Sequence, residues 1–231
     1  MLKNTFINRI ATQTIALALG ELNNRVVYVG GAVVSLYIND PSAEDVRPTK
    51  DIDISMEIAS LGELEKIREE LTQKGFSQSS EDDVICRFRY KDFKVDVMAT
   101  KAVGWAPANP WFEPGFQHII TFKIDDVEIK CLSLPYYLAS KFTAFYDRGI
   151  MDPRTSHDFE DIVYILNYTS HLGELISSAD AGVKKYLQTC FQDILKDSVK
   201  QEAILGNLFY ESQELRFNKI MDKLKEVCRS I

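Results

Sequence analysis

A glycine pair and a strand bearing two carboxylates constrain this chain more than any other feature. Residues 25–29 form a short apolar, β-prone run that breaks at Gly30-Gly31, and residues 32–38 restart at helical spacing. Downstream, Arg47-Pro48-Thr49-Lys50-Asp51-Ile52-Asp53-Ile54 leads into a second strand. Side chains alternate along a strand, so Asp51 and Asp53 share one face while Ile52 and Ile54 share the other. A third acid, Asp96 in Phe93-Lys94-Val95-Asp96-Val97-Met98, sits in the same alternation on a further strand. A chain with this pattern must build a sheet with one apolar face and an acidic edge beside a tight turn.

The rest of the chain supports a mixed architecture. Residues 4–22 carry apolar positions near helical spacing, residues 50–56 read as a strand, and residues 61–74 read as a helix stopped by Gly75. Two hairpins are expected, 84–90 with 93–100 across Lys91-Asp92, and 117–123 with 127–132 across Asp125-Asp126. Between them, residues 101–116 hold both tryptophans and three of the seven prolines, which marks either a packed lid or a binding loop. From Ser133 onward the pattern is helical, with a break over residues 149–153. The expected fold class is therefore α+β: a mixed sheet with flanking helices over residues 1–132, then a helical bundle over 133–231.

Composition narrows the classes further. A 231-residue chain with 45% hydrophobic and 26% charged residues can bury a substantial core. No apolar run approaches the roughly 18 residues needed to span a bilayer, so no membrane partner is expected. The first helix is interrupted by Asn8, Arg9, Thr12, Gln13 and Thr14, unlike a signal peptide. Cys86, Cys131, Cys190 and Cys228 are widely spaced and form no metal or redox pair, which fits reduced thiols in the cytoplasm. A net charge of −7 argues against a broad nucleic-acid surface, though not against a small basic pocket.

The acids carry the chemistry. Gathered carboxylates repel one another unless a cation neutralises them, and Mg²⁺ takes oxygen ligands while leaving positions for substrate phosphates. Two such ions could clamp the attacking and leaving oxygens of an in-line displacement. Gly30 and Gly31 either permit close strand–helix packing or let backbone N–H groups approach a phosphate. Ser35, one turn on, either faces that phosphate or lies on the surface. Lys141, inside the apolar stretch 137–145, either snorkels or turns inward to offset phosphate charge. Asp158 and Asp161 share a helical face, so one of them can orient Lys141 or a ribose hydroxyl, or simply form a structural ion pair. His118 and His171 belong to no motif and are expected to be structural or exposed.

The order Gly30-Gly31, Arg47-x-Thr49-x-Asp51-x-Asp53, Asp96 resembles the nucleotidyltransferase fold shared with DNA polymerase beta. The later run Lys141-x-x-Ala144-x-x-x-Arg148, with His157-Asp158-x-x-Asp161, resembles the AbiEii-type branch, the MenA-like toxins of type IV toxin–antitoxin systems. Thr49 stands where serine is more usual and keeps the hydroxyl. The resemblance implies metal binding by Asp51 and Asp53, with Asp96 as metal ligand or base. It also implies nucleotide contacts from Thr49, Lys141 and Asp158. The expectation is a Mg²⁺-dependent transfer of NMP from an NTP to an acceptor hydroxyl, with two ions and Lys141 offsetting charge on the leaving pyrophosphate. The acceptor would be a tRNA 3′ end, a protein or a small molecule, and a cognate antitoxin would be the partner. An antibiotic- or metabolite-modifying transferase and a non-catalytic nucleotide-binding module are the competing expectations. An RNA acceptor would require Arg47, Lys101, Lys123, Lys130, Arg148 and Arg154 to gather around the cleft mouth despite the negative total charge.

Overall fold

A computed structural model describes residues 2–148 and 152–229. The break expected over residues 149–153 thus lies partly outside the described residues. The chain divides into two compact units, one of residues 1–36 and 44–133 and the other of residues 37–43 and 134–231. The sequence suggests a single boundary near residue 132, but residues 37–43 group with the helical unit. Their backbone explains this, because Asn39 N and Asp40 N both donate to Tyr168 O, at 3.4 and 3.1 Å.

The first unit opens with helix α1 (Lys3–Leu19) and a short 3₁₀ stretch, followed by β1 (Val27–Tyr28). Gly31–Tyr37 forms a 3₁₀ turn, tighter than the α-helix that its spacing suggests. Then come β2 (Asp51–Met56), α2 (Leu61–Gln73), β3 (Arg87–Tyr90), β4 (Phe93–Ala99), the short α3 (Phe112–Gly115), β5 (Ile119–Ile124) and β6 (Val127–Leu132). The strands form one mixed sheet in the order β3-β4-β2-β1-β6-β5. β2 runs parallel to β4 and antiparallel to β1, while β1 runs parallel to β6.

Both expected hairpins form, β3–β4 and β5–β6. Each turns on a two-residue loop whose first residue, Lys91 or Asp125, has a left-handed backbone (φ 53° and 50°). Ile52, Ile54, Val95, Val97 and Phe88 are almost wholly buried, which accounts for the apolar alternation of their strands.

The aromatic loop between β4 and β5 packs onto its own unit. Trp105 lies 5.7 Å from the Phe88 ring, takes the Arg68 guanidinium over its face at 5.3 Å, and donates Nε1–H to Glu65. α2 starts with a reciprocal cap, in which Ser60 Oγ accepts from Glu63 N while Glu63 Oε2 accepts from Ala59 N.

In the second unit, α4 (Leu134–Asp147) is buried along most of its length and packs against α5 (His157–Tyr168). α6 (Leu172–Ser177), α7 (Ala181–Lys196), α8 (Ser198–Gly206) and α9 (Gln213–Arg229) complete the bundle. Phe142 meets Phe191 at 5.9 Å and Phe145 meets Phe159 at 5.0 Å, joining α4 to α7 and to α5. No helix among the described residues is long and apolar enough to cross a membrane.

Candidate active site

The acid face of the first unit is built by strand register. In the parallel β2–β4 pair, Asp53 lies opposite Asp96 and Asp51 lies opposite Lys94. Registered neighbours project to the same side of a sheet, so Asp51, Asp53 and Asp96 share one face, as their alternation suggests. The burial of β2 agrees, with Ile52 and Ile54 buried, Asp51 exposed and Asp53 partly covered.

Gly30 meets this face directly. Val29 N donates to Asp53 O at 3.0 Å, which sets the end of β1 against the middle of β2. A Cβ built on Gly30 would stand 2.6 Å from Asp53 Cγ and 2.7 Å from Asp53 Cβ, closer than packed carbon atoms come. Glycine is required here because the Asp53 carboxyl occupies the space a side chain would fill. Gly31 opens the 3₁₀ turn that follows. On that turn the Ser35 hydroxyl, in a residue only 8% exposed, has no hydrogen-bond partner among the described residues.

The Arg-Pro-Thr preamble is held from behind by α1. Asn8, 1% exposed, donates from Nδ2 to Arg47 O and accepts at Oδ1 from Thr49 N, at 3.0 and 2.9 Å. Asp45 closes the same contact by accepting from Asn4 N and Thr5 N at the helix start, where α1 lacks a cap of its own. Thr49 Oγ1 in turn accepts from Asp51 N at 3.0 Å. The threonine hydroxyl thus shapes the backbone that presents Asp51.

Asp96 is paired with a residue outside the motif. Arg87 on β3 sits opposite it and donates from Nε to Oδ1 and from Nη2 to Oδ2, both at 2.7 Å. This fork-on-fork geometry is the strong form of an ion pair, and it raises the Arg87 pKa further above its ordinary value. The signal was present in the sequence: a two-residue turn at Lys91-Asp92 pairs Tyr90 with Phe93 and therefore Arg87 with Asp96. Beside them the Cys86 thiol is pushed up to about 11, by burial first and by the Asp96 charge second, so it is inert at neutral pH.

Lys141 and Asp158 belong to the second unit, where they form a buried charge network. Lys141 Nζ lies 2.7 Å from Asp161 Oδ2 and 3.5 Å from Asp158 Oδ1, with all three side chains at most 7% exposed. Arg148 reaches in from the surface to Asp158 Oδ2 at 2.7 Å. Lys141 is thus buried and paired with Asp161 and Asp158, so it does not snorkel, and the ion pair is the arrangement that the geometry displays. His157 and His171 are surface groups near Glu160 and Glu174, and His118 is exposed.

The basic residues considered for an RNA mouth are largely engaged with acids or carbonyls. Lys101 pairs with Glu113, Lys123 lies near Asp126, Lys130 donates to Asn24 O, and Arg154 pairs with Asp152. Lys123 and Lys130 lie on the outer β5–β6 hairpin, and β1 separates that hairpin from the acid strands.

The residues fit a divalent cation in one way. Asp51 and Asp53 offer carboxylate oxygens on one face, and Mg²⁺ is commonly held by one or two carboxylates with water and phosphate completing the shell. Asp96 has both oxygens on Arg87, and among the described residues no group of three or more His, Cys, Asp or Glu side chains is arranged to hold a metal ion.

Residues 15–227 match the family model for the nucleotidyl transferase AbiEii toxin, type IV TA system. Among solved structures, the chain is similar to an antigenic nucleotidyltransferase-like protein from Paracoccidioides brasiliensis, with TM-score 0.50 and 16% identity over 86% of this chain and 92% of that one. It is also similar to JHP933 from Helicobacter pylori, with TM-score 0.52 and 12% identity over 99% of this chain and 94% of that one. At such identities the likeness is one of fold, and it agrees with an α+β nucleotidyltransferase-like architecture. A comparison with curated proteins gives no match.

Proposed function

Because the chain belongs to the AbiEii nucleotidyl transferase toxin family, we propose that it transfers an NMP from an NTP to an acceptor hydroxyl at the acid face of β2. The observation that carries this reading is the packing of Asp53 against Gly30, which sets a carboxylate beside a backbone turn that has no side chain.

In this reading the Gly30-Gly31 turn offers backbone N–H groups to the triphosphate, and the Ser35 hydroxyl adds a further donor. Asp51 and Asp53 hold a divalent cation, Mg²⁺ by the chemistry of the donors. When bound, that ion supplies charge neutralisation at the phosphates and a more acidic acceptor hydroxyl. Thr49 fixes the backbone of Asp51 so that its carboxylate stays aligned with that of Asp53. The acceptor oxygen bonds to the α-phosphorus, the bond to the β-phosphate oxygen breaks, and pyrophosphate leaves. The acceptor proton passes to Asp96, which also completes a second cation position once its oxygens are free. For Lys141 and Asp158 the family motif supports a role toward nucleotide phosphates, alongside their buried pairing.

The type IV family assignment supports a cognate antitoxin as the biological partner. Pairing of the surface cations with acids favours a protein or small-molecule hydroxyl over a long polyanion as acceptor. The test is incubation with each α-labelled NTP, Mg²⁺ and either cellular RNA or cellular protein. Label on a macromolecule or small acceptor, lost in Asp51→Asn, supports the reading. Label on no acceptor with any NTP contradicts it.

A further inference from the structure

Two acids face each other across the β2–β4 ladder, and Asp96 is forked by a guanidinium. Asp53 and Asp96 are register partners, and like charges so close are unfavourable without a counter-ion. Arg87, fixed opposite Asp96 by the hairpin register, supplies that counter-ion with both of its forked donors. Its guanidinium also feels the charge of Asp51, a second acid of that face. Asp82 is held by Arg89, at 2.8 and 3.0 Å, and is no ready alternative partner.

We propose that Arg87 is a positioning residue that holds Asp96 in the nucleotide-free protein and competes with divalent cations for the acid face. The inference rests on the proposed transfer site and adds its control element. A guanidinium and a divalent cation repel, and both are drawn to the same few carboxylate oxygens. While the fork is closed, Asp96 is neutralised and only Asp51 and Asp53 attract a metal ion. When the fork opens, Asp96 joins them and the face becomes a three-carboxylate site. The side chains of Arg87 and Asp96 are 18% and 17% exposed, which leaves the guanidinium a path toward solvent. The protein would thereby bind metal weakly alone and more tightly when nucleotide phosphates help to draw the arginine away. This makes uptake of metal and nucleotide cooperative.

The test measures Mn²⁺ binding to the nucleotide-free protein by the loss of the free-ion paramagnetic resonance signal. Arg87→Gln is expected to tighten binding roughly tenfold, through removal of a competing unit charge at short range. Arg87→Lys keeps the charge but loses the fork, and a gain of about threefold is expected. Adding Asp96→Asn to Arg87→Gln should abolish the gain. Wild-type affinity in folded Arg87→Gln overturns the proposal. Should that variant fail to fold, unchanged affinity in Arg87→Lys overturns it equally. If Asp51→Asn and Asp53→Asn leave wild-type Mn²⁺ binding untouched, it is the site reading itself that fails. If they weaken binding while the Arg87 variants change nothing, only the competition fails.

Discussion

The carboxyl of Asp53 fills the space that a side chain on Gly30 would need, its Cγ lying 2.6 Å from where a Cβ would be built. Glycine at this position is therefore a requirement of the acid face. Gly30→Ala must push Asp53 aside or open the β1–β2 pair. Overpacking of this kind costs about 1–3 kcal/mol. Chemical denaturation should show that loss, and nucleotide transfer should fall well beyond what the lost stability explains. A Gly30→Ala protein of normal stability and activity would contradict the geometry.

Lys141 and Asp161 form a pair buried on both sides, 7% and 2% exposed. Lys141→Met strands Asp161 and Asp158 without their interior cation, and removing one partner of a buried pair costs about 3–5 kcal/mol. The double variant Lys141→Met with Asp161→Asn should recover part of that loss. Urea denaturation of the single and double variants measures the difference. Additive losses would show that the pair is not coupled.

Asp40 ties residues 37–43 to α9. Its carboxylate accepts from Ser42 N and Oγ and from Arg216 Nη1, at 2.9, 2.6 and 2.9 Å. The Ser42 hydroxyl first, and Arg216 next, hold this carboxyl well below the usual carboxylate range. A lowered folded-state pKa gives stability that is present above the unfolded pKa and lost as the pH falls through the folded one. Asp40→Asn should cost about 1–3 kcal/mol at neutral pH. The gap to wild type should begin to narrow below about pH 4, the ordinary carboxylate range, and close only well below it. Denaturation midpoints across pH test both signs.

Asn8 holds the preamble by two hydrogen bonds from a buried position. Asn8→Ala leaves Arg47 O and Thr49 N without these partners, at a cost of about 1–3 kcal/mol. Because Thr49 in turn sets the Asp51 backbone, nucleotide transfer should fall further than stability alone explains. Asn8→Ala with wild-type transfer would show that the preamble holds its shape unaided.

Local patterns made much of this legible in the sequence. The alternation of Ile52 and Ile54 with Asp51 and Asp53 specifies a strand with a buried side, and the two-residue turns at Lys91-Asp92 and Asp125-Asp126 specify hairpins. The glycine turn read correctly as a break, although the chain after it winds as a 3₁₀ turn. What stayed hidden depends on partners distant in sequence. Asn8 and Asp45 act across about forty positions, and Asp40 meets Arg216 across 176. The grouping of residues 37–43 with the helical unit follows from such contacts. Arg87 is legible too, because the hairpin register places it opposite Asp96.

The most direct measurement is pyrophosphate release from NTP in the presence of Mg²⁺ and a labelled acceptor fraction, comparing wild type with Asp53→Asn. The substitution keeps the shape that Gly30 accommodates while removing the charge. Release and labelling are expected from the wild type, and loss of both from a variant that melts like it. Equal release by the two proteins would contradict the assignment of the β2 acids to nucleotidyl transfer.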